Sequence, residues 1–217
     1  WSNDELAPVS KEIAQRCEEV GNQLNSVGTT VSFVAKPEHD FMKAEINYQL
    51  LLQSVMQSGL PEDEYQKIEK LASSLDKNDL SVDAILAKGT VLSHRNWIRQ
   101  NYAREQIKIS WSKFFEEWDV LICPQLATTA IEHDHRKISE RTVMVDNQEQ
   151  RYFQQIFWPG LAVNAHLPST VFPTGLSGDG MPIGLQVIGG AYEDKTTIKF
   201  AELYEEEFKA FVVPNLD

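Results

Sequence analysis

Apolar residues recur at intervals of three and four through Val9, Ile13, Cys17, Val20, Leu24 and Val27, which puts them on one face of a helix. Pro8 suits its first turn and Gly28 its end. The rhythm then changes. Val31 and Phe33 alternate with Thr30 and Ser32, Val34 extends the run and Pro37 stops it, the pattern of a short strand. A second helix is expected from Phe41 to Gln57, closed by Gly59 and Pro61. Glu62, Asp63 and Glu64 follow where a helix N-terminus favours negative charge. The polar stretch Leu71 to Leu86 reads as short helices with connecting loops. A third strong helix spans roughly Ser93 to Trp118, with Ile107, Trp111, Phe114, Phe115 and Trp118 forming an aromatic stripe read as core. Val120-Leu121-Ile122-Cys123, closed by Pro124, makes a second helix-then-strand pair.

Residues 127 to 150 are polar and irregular and read as a long surface loop. Phe153 to Leu161 is aromatic-rich and is broken by Pro159-Gly160. Ser169 to Phe172 is a short strand between Pro168 and Pro173, where a ladder donor is dispensable. The glycine-rich run Thr174 to Gly180 must turn. Ile183 to Ile188 is an apolar strand ended by Gly189-Gly190, with Gly184 and Gly189 at close approaches. Asp194 can cap a last helix in which Thr197, Ala201, Tyr204, Phe208 and Phe211 share a face. Alternation of helices and strands predicts the α/β class. There is no repeat, low-complexity tract or linker, so residues 1–217 are expected to form one piece without an internal domain boundary.

Composition narrows the function. At 42% hydrophobic and 24% charged residues the chain is ordinary globular material. Its 32 acidic and 20 basic residues give a net charge of -12, which argues against nucleic acid as a partner and against an electrostatic grip on anionic lipid. No apolar run is long enough to span a bilayer. Cys17 and Cys123 are too few and too far apart for a disulfide framework and read as small core residues. The start, Trp1-Ser2-Asn3-Asp4, lacks an initiator methionine and reads as a cut chain. A cytoplasmic setting is favoured.

Three chemical readings are available locally. Glu132-His133-Asp134-His135 places two imidazoles on one side of an extended segment, the start of a zinc site. No further ligand announces itself, and a solvated polar loop explains the run better. Thr174-Gly175-Leu176-Ser177-Gly178-Asp179-Gly180 invites a phosphate cradle, yet a strand follows it rather than a helix, so a tight turn fits better. For nucleophilic catalysis there is no Gly-x-Ser-x-Gly elbow. Ser73-Ser74 lies in a polar helical stretch, and Ser10-Lys11 and Ser112-Lys113 are sequence neighbours whose side chains diverge. Gln186 is a polar residue inside an apolar strand and, if buried, needs partners.

The last third carries a resemblance. Leu167-Pro168-Ser169-Thr170-Val171-Phe172-Pro173-Thr174-Gly175, then Gly180-Met181-Pro182-Ile183-Gly184-Leu185-Gln186-Val187-Ile188-Gly189, with Glu193-Asp194 and a helix after them, resembles the C-terminal region of amidase-signature enzymes. Trp118-Asp119-Val120-Leu121-Ile122-Cys123-Pro124 resembles that family's Asp-x-Leu-x-x-Pro strand. The resemblance implies a parent that hydrolyses small-molecule carboxamides through a serine nucleophile, a second serine and a lysine base. Those residues lie in the family's N-terminal half, and nothing here matches their signature. It therefore implies a C-terminal half, an α/β piece that is part of a mixed β-sheet flanked by helices, that supplies scaffold and pocket wall, with no catalytic residue of its own, no metal and no cofactor. Trp158, Leu161 and His166 are the implied wall residues. Many members have glycine where this chain has His166. A half separated from its remainder is also expected to self-associate through exposed sheet surface. The competing readings are a non-catalytic α/β binding or interaction module, and a metal hydrolase built on His133 and His135.

Overall fold

The computed structural model describes residues 1–137 and 140–214. The chain divides into two compact units, one made of Trp1–Pro37 with Trp111–Asp217, the other of Glu38–Ser110.

The first unit is built on a three-stranded sheet of order β1-β5-β4, from β1 (Val120–Pro124), β4 (Ser169–Leu176) and β5 (Pro182–Gly189), with both pairings antiparallel. Cross-strand partners point to the same side. Leu121, Cys123, Ser169, Val171, Gln186 and Ile188 therefore share one face, and Ile122, Thr170, Phe172, Leu185 and Val187 share the other. Leu185, Val187 and Ile188 are fully enclosed, which is why β5 reads as a continuous apolar run and not as an alternating one.

Helix α1 (Lys11–Ser26) and helix α7 (Asp194–Phe208) cover the second face. Phe172 meets the rings of Phe200 and Tyr204 at centroid distances of 5.3 and 4.9 Å, and Thr197 Oγ1 lies 2.9 Å from Thr170 Oγ1. A Cβ at Gly189 would sit 2.8 Å from Thr197 Cγ2, so the closest approach of α7 to β5 requires glycine. The Tyr204 hydroxyl donates to Gln23 Oε1 at 2.7 Å and joins α7 to α1. Helix α6 (Phe157–Ala165) lies on the first face, after a 3-10 turn (Tyr152–Ile156).

Several expectations need correction. Thr30–Val34 joins no ladder among the described residues. The side chain of Ser10 caps α1, its Oγ accepting from the Ile13 N–H at 3.3 Å. The cap of α7 is Glu193, without a side-chain bond, and Asp194 is already inside the helix. Residues 127–150 are not all loop: β2 (Thr142–Val145) and β3 (Gln148–Arg151) form a hairpin around Asp146, whose φ is 52°. Its inner side is Val143, Val145 and Gln150, and Gln150 Nε2 donates to the Pro8 carbonyl at 3.1 Å. Pro159-Gly160 is no break either. It lies in the first turn of α6, where a missing N–H is harmless.

The second unit is helical. It holds α2 (Phe41–Met56), α3 (Glu62–Ser74), α4 (Val82–Thr90) and the part of α5 (His94–Phe114) that precedes Trp111. Asp40 caps α2, accepting from the Lys43 N–H at 3.0 Å. Gly89 brings α4 against α2: a Cβ there would stand 2.8 Å from Gln53 Cβ and 3.2 Å from the Leu50 backbone. Asn47 Nδ2 donates to the Gln100 carbonyl at 2.8 Å and so ties α2 to α5. Lys88 donates to three carbonyls, those of Asp76, Lys77 and Asp79, closing the α3–α4 connection.

Candidate functional site

The polar residue in the apolar strand is the centre of the first unit. Gln186 is 1% exposed and uses both ends of its amide. Nε2 donates to the Trp158 carbonyl at 2.7 Å and to the Pro124 carbonyl at 3.1 Å, and lies 3.2 Å from Cys123 Sγ. Oε1 accepts from Ser169 Oγ at 3.0 Å. One side chain thus holds α6, the end of β1 and the start of β4 in fixed positions. Burial pushes the Cys123 thiol up to about 12, so it is a neutral packing group and not a nucleophile.

Helix α6 is where the expected wall residues lie, with His166 at its end. Trp158 is fully enclosed, and its Nε1 donates to the Ala7 carbonyl at 3.0 Å. The Trp1 ring meets it edge-on at 5.5 Å. Its ring therefore lines no surface of this unit. Leu161 is buried at 8% exposure on the same helix. His166 is exposed and caps α6 in the left-handed conformation, φ 55° and ψ 44°. That conformation suits glycine best. A cleft elsewhere in the unit is lined by Trp1, Thr30, Val31, Trp118, Val120 and Ile122, among others, and includes none of the three.

The other chemical readings find little support in the geometry. The Gly178 N–H, a donor of the glycine-rich turn, is taken by Glu12 Oε1 at 2.7 Å, and a carboxylate there repels phosphate. The turn is held from α1 by Arg16 as well, which donates to the carbonyls of Thr174 and Leu176. The rings of His133 and His135 are 6.3 Å apart, and among the described residues no group of three or more His, Cys, Asp or Glu converges. Asp134 between them is bound to the Arg136 guanidinium, which holds its carboxyl down at about 2. Among the described residues no serine hydroxyl is hydrogen-bonded to a lysine ammonium, and no helix is long and apolar enough to cross a membrane.

Comparison with known proteins decides the family. The model of the Amidase family matches residues 1–198. The chain belongs to the amidase family. It is 34% identical over 111 residues to a glutamyl-tRNA(Gln) amidotransferase subunit from Thermosynechococcus vestitus, 51% of this chain and 21% of that protein. With the corresponding subunit from Thermodesulfovibrio yellowstonii the identity is 24% over 215 residues, 91% of this chain and 42% of the relative. Among solved structures, the same amidotransferase subunit from Thermotoga maritima superposes with a TM-score of 0.65 at 18% identity, over 96% of this chain and 43% of that one. A bacterial aryl acylamidase of the amidase signature family gives 0.63 at 18%, over 93% and 41%. The amidase-signature fold is thereby established. The chain spans less than half the length of these relatives.

Proposed function

We propose that this amidase-family chain is the C-terminal, scaffold and pocket-wall part of a larger enzyme that hydrolyses carboxamides by acylating a serine and then hydrolysing the acyl-enzyme. The observation that carries the reading is the family match over residues 1–198 combined with alignment to less than half of each relative's length. The Gln186 junction supports it, because it fixes α6, which carries Trp158 and Leu161, on the sheet. Within that enzyme Leu161 and His166 contribute to the wall of the small-molecule amide site, and Trp158 holds the wall in place from beneath.

A serine-directed fluorophosphonate provides the test. It is expected to label the longer protein, with the sequence upstream of Trp1 restored, at one serine in that upstream part, and to leave residues 1–217 alone unlabelled. Labelling of a serine within 1–217 would overturn the assignment.

The relatives favour a second reading, that the parent is one component of an amidotransferase and works with other chains. It differs from the first in requiring a partner for full turnover. The charge of -12 implies that any contact with tRNA phosphates would come from that partner and not from this surface.

A further inference from the structure

The helical unit has two outer helices with almost nothing buried. Of the 13 residues of α3 none is buried, and of the 21 of α5 only Trp111 is, which belongs to the other unit. On α3 the half-buried residues Tyr65, Ile68 and Ala72 recur at three and four, the side on which α3 rests on α4. The outer sides of the two helices differ in charge.

Arg95, Arg99, Tyr102, Gln106 and Ile109 recur at four, three, four and three, which sets them on one side of α5, and all of them are exposed. That stripe holds guanidiniums and no carboxylate. Tyr102 is 69% exposed and Ile109 49%. Glu62, Gln66, Glu69 and Ser73 recur at four, three and four along α3 and are exposed as well. That stripe holds carboxylates and no cation. Charges beside the stripes are already paired, Lys108 with Glu105 at 3.1 Å and Lys67 with Asp63 at 3.2 Å. Among the described residues Arg95, Arg99, Glu62 and Glu69 form no ion pair; Arg99 donates to Asn96 Oδ1 and Glu62 Oε1 accepts from Gln66, each within its own helix. Arginine and tyrosine are the side chains enriched where proteins meet, whereas a merely solvated face is rich in lysine and glutamate. In a chain of net charge -12 a basic stripe is the exception, and another copy of the chain offers its complement.

We infer that the protein pairs with a second copy of itself through the helical unit, the α5 stripe of each copy lying on the α3 stripe of the other. Arg95 and Arg99 meet Glu62 and Glu69, and Tyr102 and Ile109 are covered between the helices. Both stripes lie on the one unit, so a two-fold axis makes the contact twice and closes the assembly at a dimer. The contact is independent of the hydrolytic reading. It also uses no sheet surface, unlike the self-association expected of a severed half.

Sedimentation velocity of the longer protein, with its natural sequence upstream of Trp1, tests this over a range of concentration and salt. A dimer that weakens as salt rises is expected. Arg95→Glu with Arg99→Glu makes both stripes acidic, and Glu62→Lys with Glu69→Lys makes both basic. Each pair of changes is expected to raise the dimer dissociation constant about ten-fold or more. An equimolar mixture of the two reversed proteins restores both contacts in a heterodimer and is expected to recover most of that loss. Such recovery also shows that neither variant is misfolded. Monomers at every concentration overturn the proposal. So does a dimer indifferent to both reversals, or a mixture no more associated than its components.

Discussion

At Gln186 one buried amide satisfies two carbonyls and a hydroxyl that belong to three different elements. Replacing it by leucine keeps the volume and removes every bond. The carbonyls of Trp158 and Pro124 then lose a donor, at a cost of about 2–4 kcal/mol. A urea midpoint for Gln186→Leu close to that of the parent chain would show that the junction is not structural. Gly189 makes a purely steric prediction. Gly189→Ala drives a methyl into Thr197 Cγ2 and is expected to cost about 1–3 kcal/mol. Thr197→Ser removes that methyl and keeps the hydroxyl, so the double variant recovers most of the loss in a thermal melt. Additive losses in the two variants would place the strain elsewhere. At His166 the change runs the other way. His166→Gly releases a left-handed residue and is expected to stabilise the chain by about 1 kcal/mol. In the longer enzyme it is also expected to shift KM across a panel of amides, whereas an effect on stability alone would remove His166 from the wall.

The elements differ in how openly the sequence declares them. Helix α1 follows from apolar spacing, because it buries the face of Ile13, Cys17 and Val20 and exposes the other, whereas α5 buries only Trp111 of its aromatic stripe. Strand β5 is legible as an apolar run because both its faces are covered. The β2–β3 hairpin is hidden: it is four residues a side, its inner row is Val143, Val145 and a glutamine, and only the Asp146-Asn147 turn marks it. The Trp158 environment is hidden as well, since Pro159-Gly160 reads as an interruption until the helix start is known. In the helical unit a pH effect is expected at α2. His39 packs on Phe41 at 4.4 Å, and its Nδ1 lies 3.1 Å from Ser110 Oγ. Burial lowers its pKa to about 4, with Asp40 opposing. An unfolded histidine titrates near about 6.5, so between that pH and about 4 the unfolded chain binds a proton that the folded one refuses. Stability is full above the window and declines as pH falls through it. NMR titration of His39 is the check, and a midpoint near about 6.5, the ordinary histidine value, would contradict the account. His39→Gln is expected to flatten that part of the stability profile.

For the whole molecule, the α/β class was readable from the alternation of helical and strand patterns, and the family from the resemblance carried by the segment with Pro168, Pro173, Gly184, Gln186 and Gly189, with which the match over residues 1–198 agrees. Each of these residues has a local reason in the fold: a strand end, a bulge, a close contact, a buried junction. Catalysis was not readable: no serine of the sequence stands in a Gly-x-Ser-x-Gly elbow, and only the resemblance implies where a serine nucleophile and a lysine base would lie. The Gln186 junction was visible only as a polar residue that needed partners; which carbonyls it reaches depends on how α6 lies on the sheet, and no local pattern encodes that. The central claim is that residues 1–217 support a site they do not complete. The most direct measurement is hydrolysis of a panel of aryl and aliphatic amides by this chain alone, beside the longer protein with its upstream sequence, each with and without a metal chelator. The account predicts turnover by the longer protein only, unaffected by the chelator. Turnover by residues 1–217 alone, lost on chelation, would contradict it and would return attention to His133 and His135.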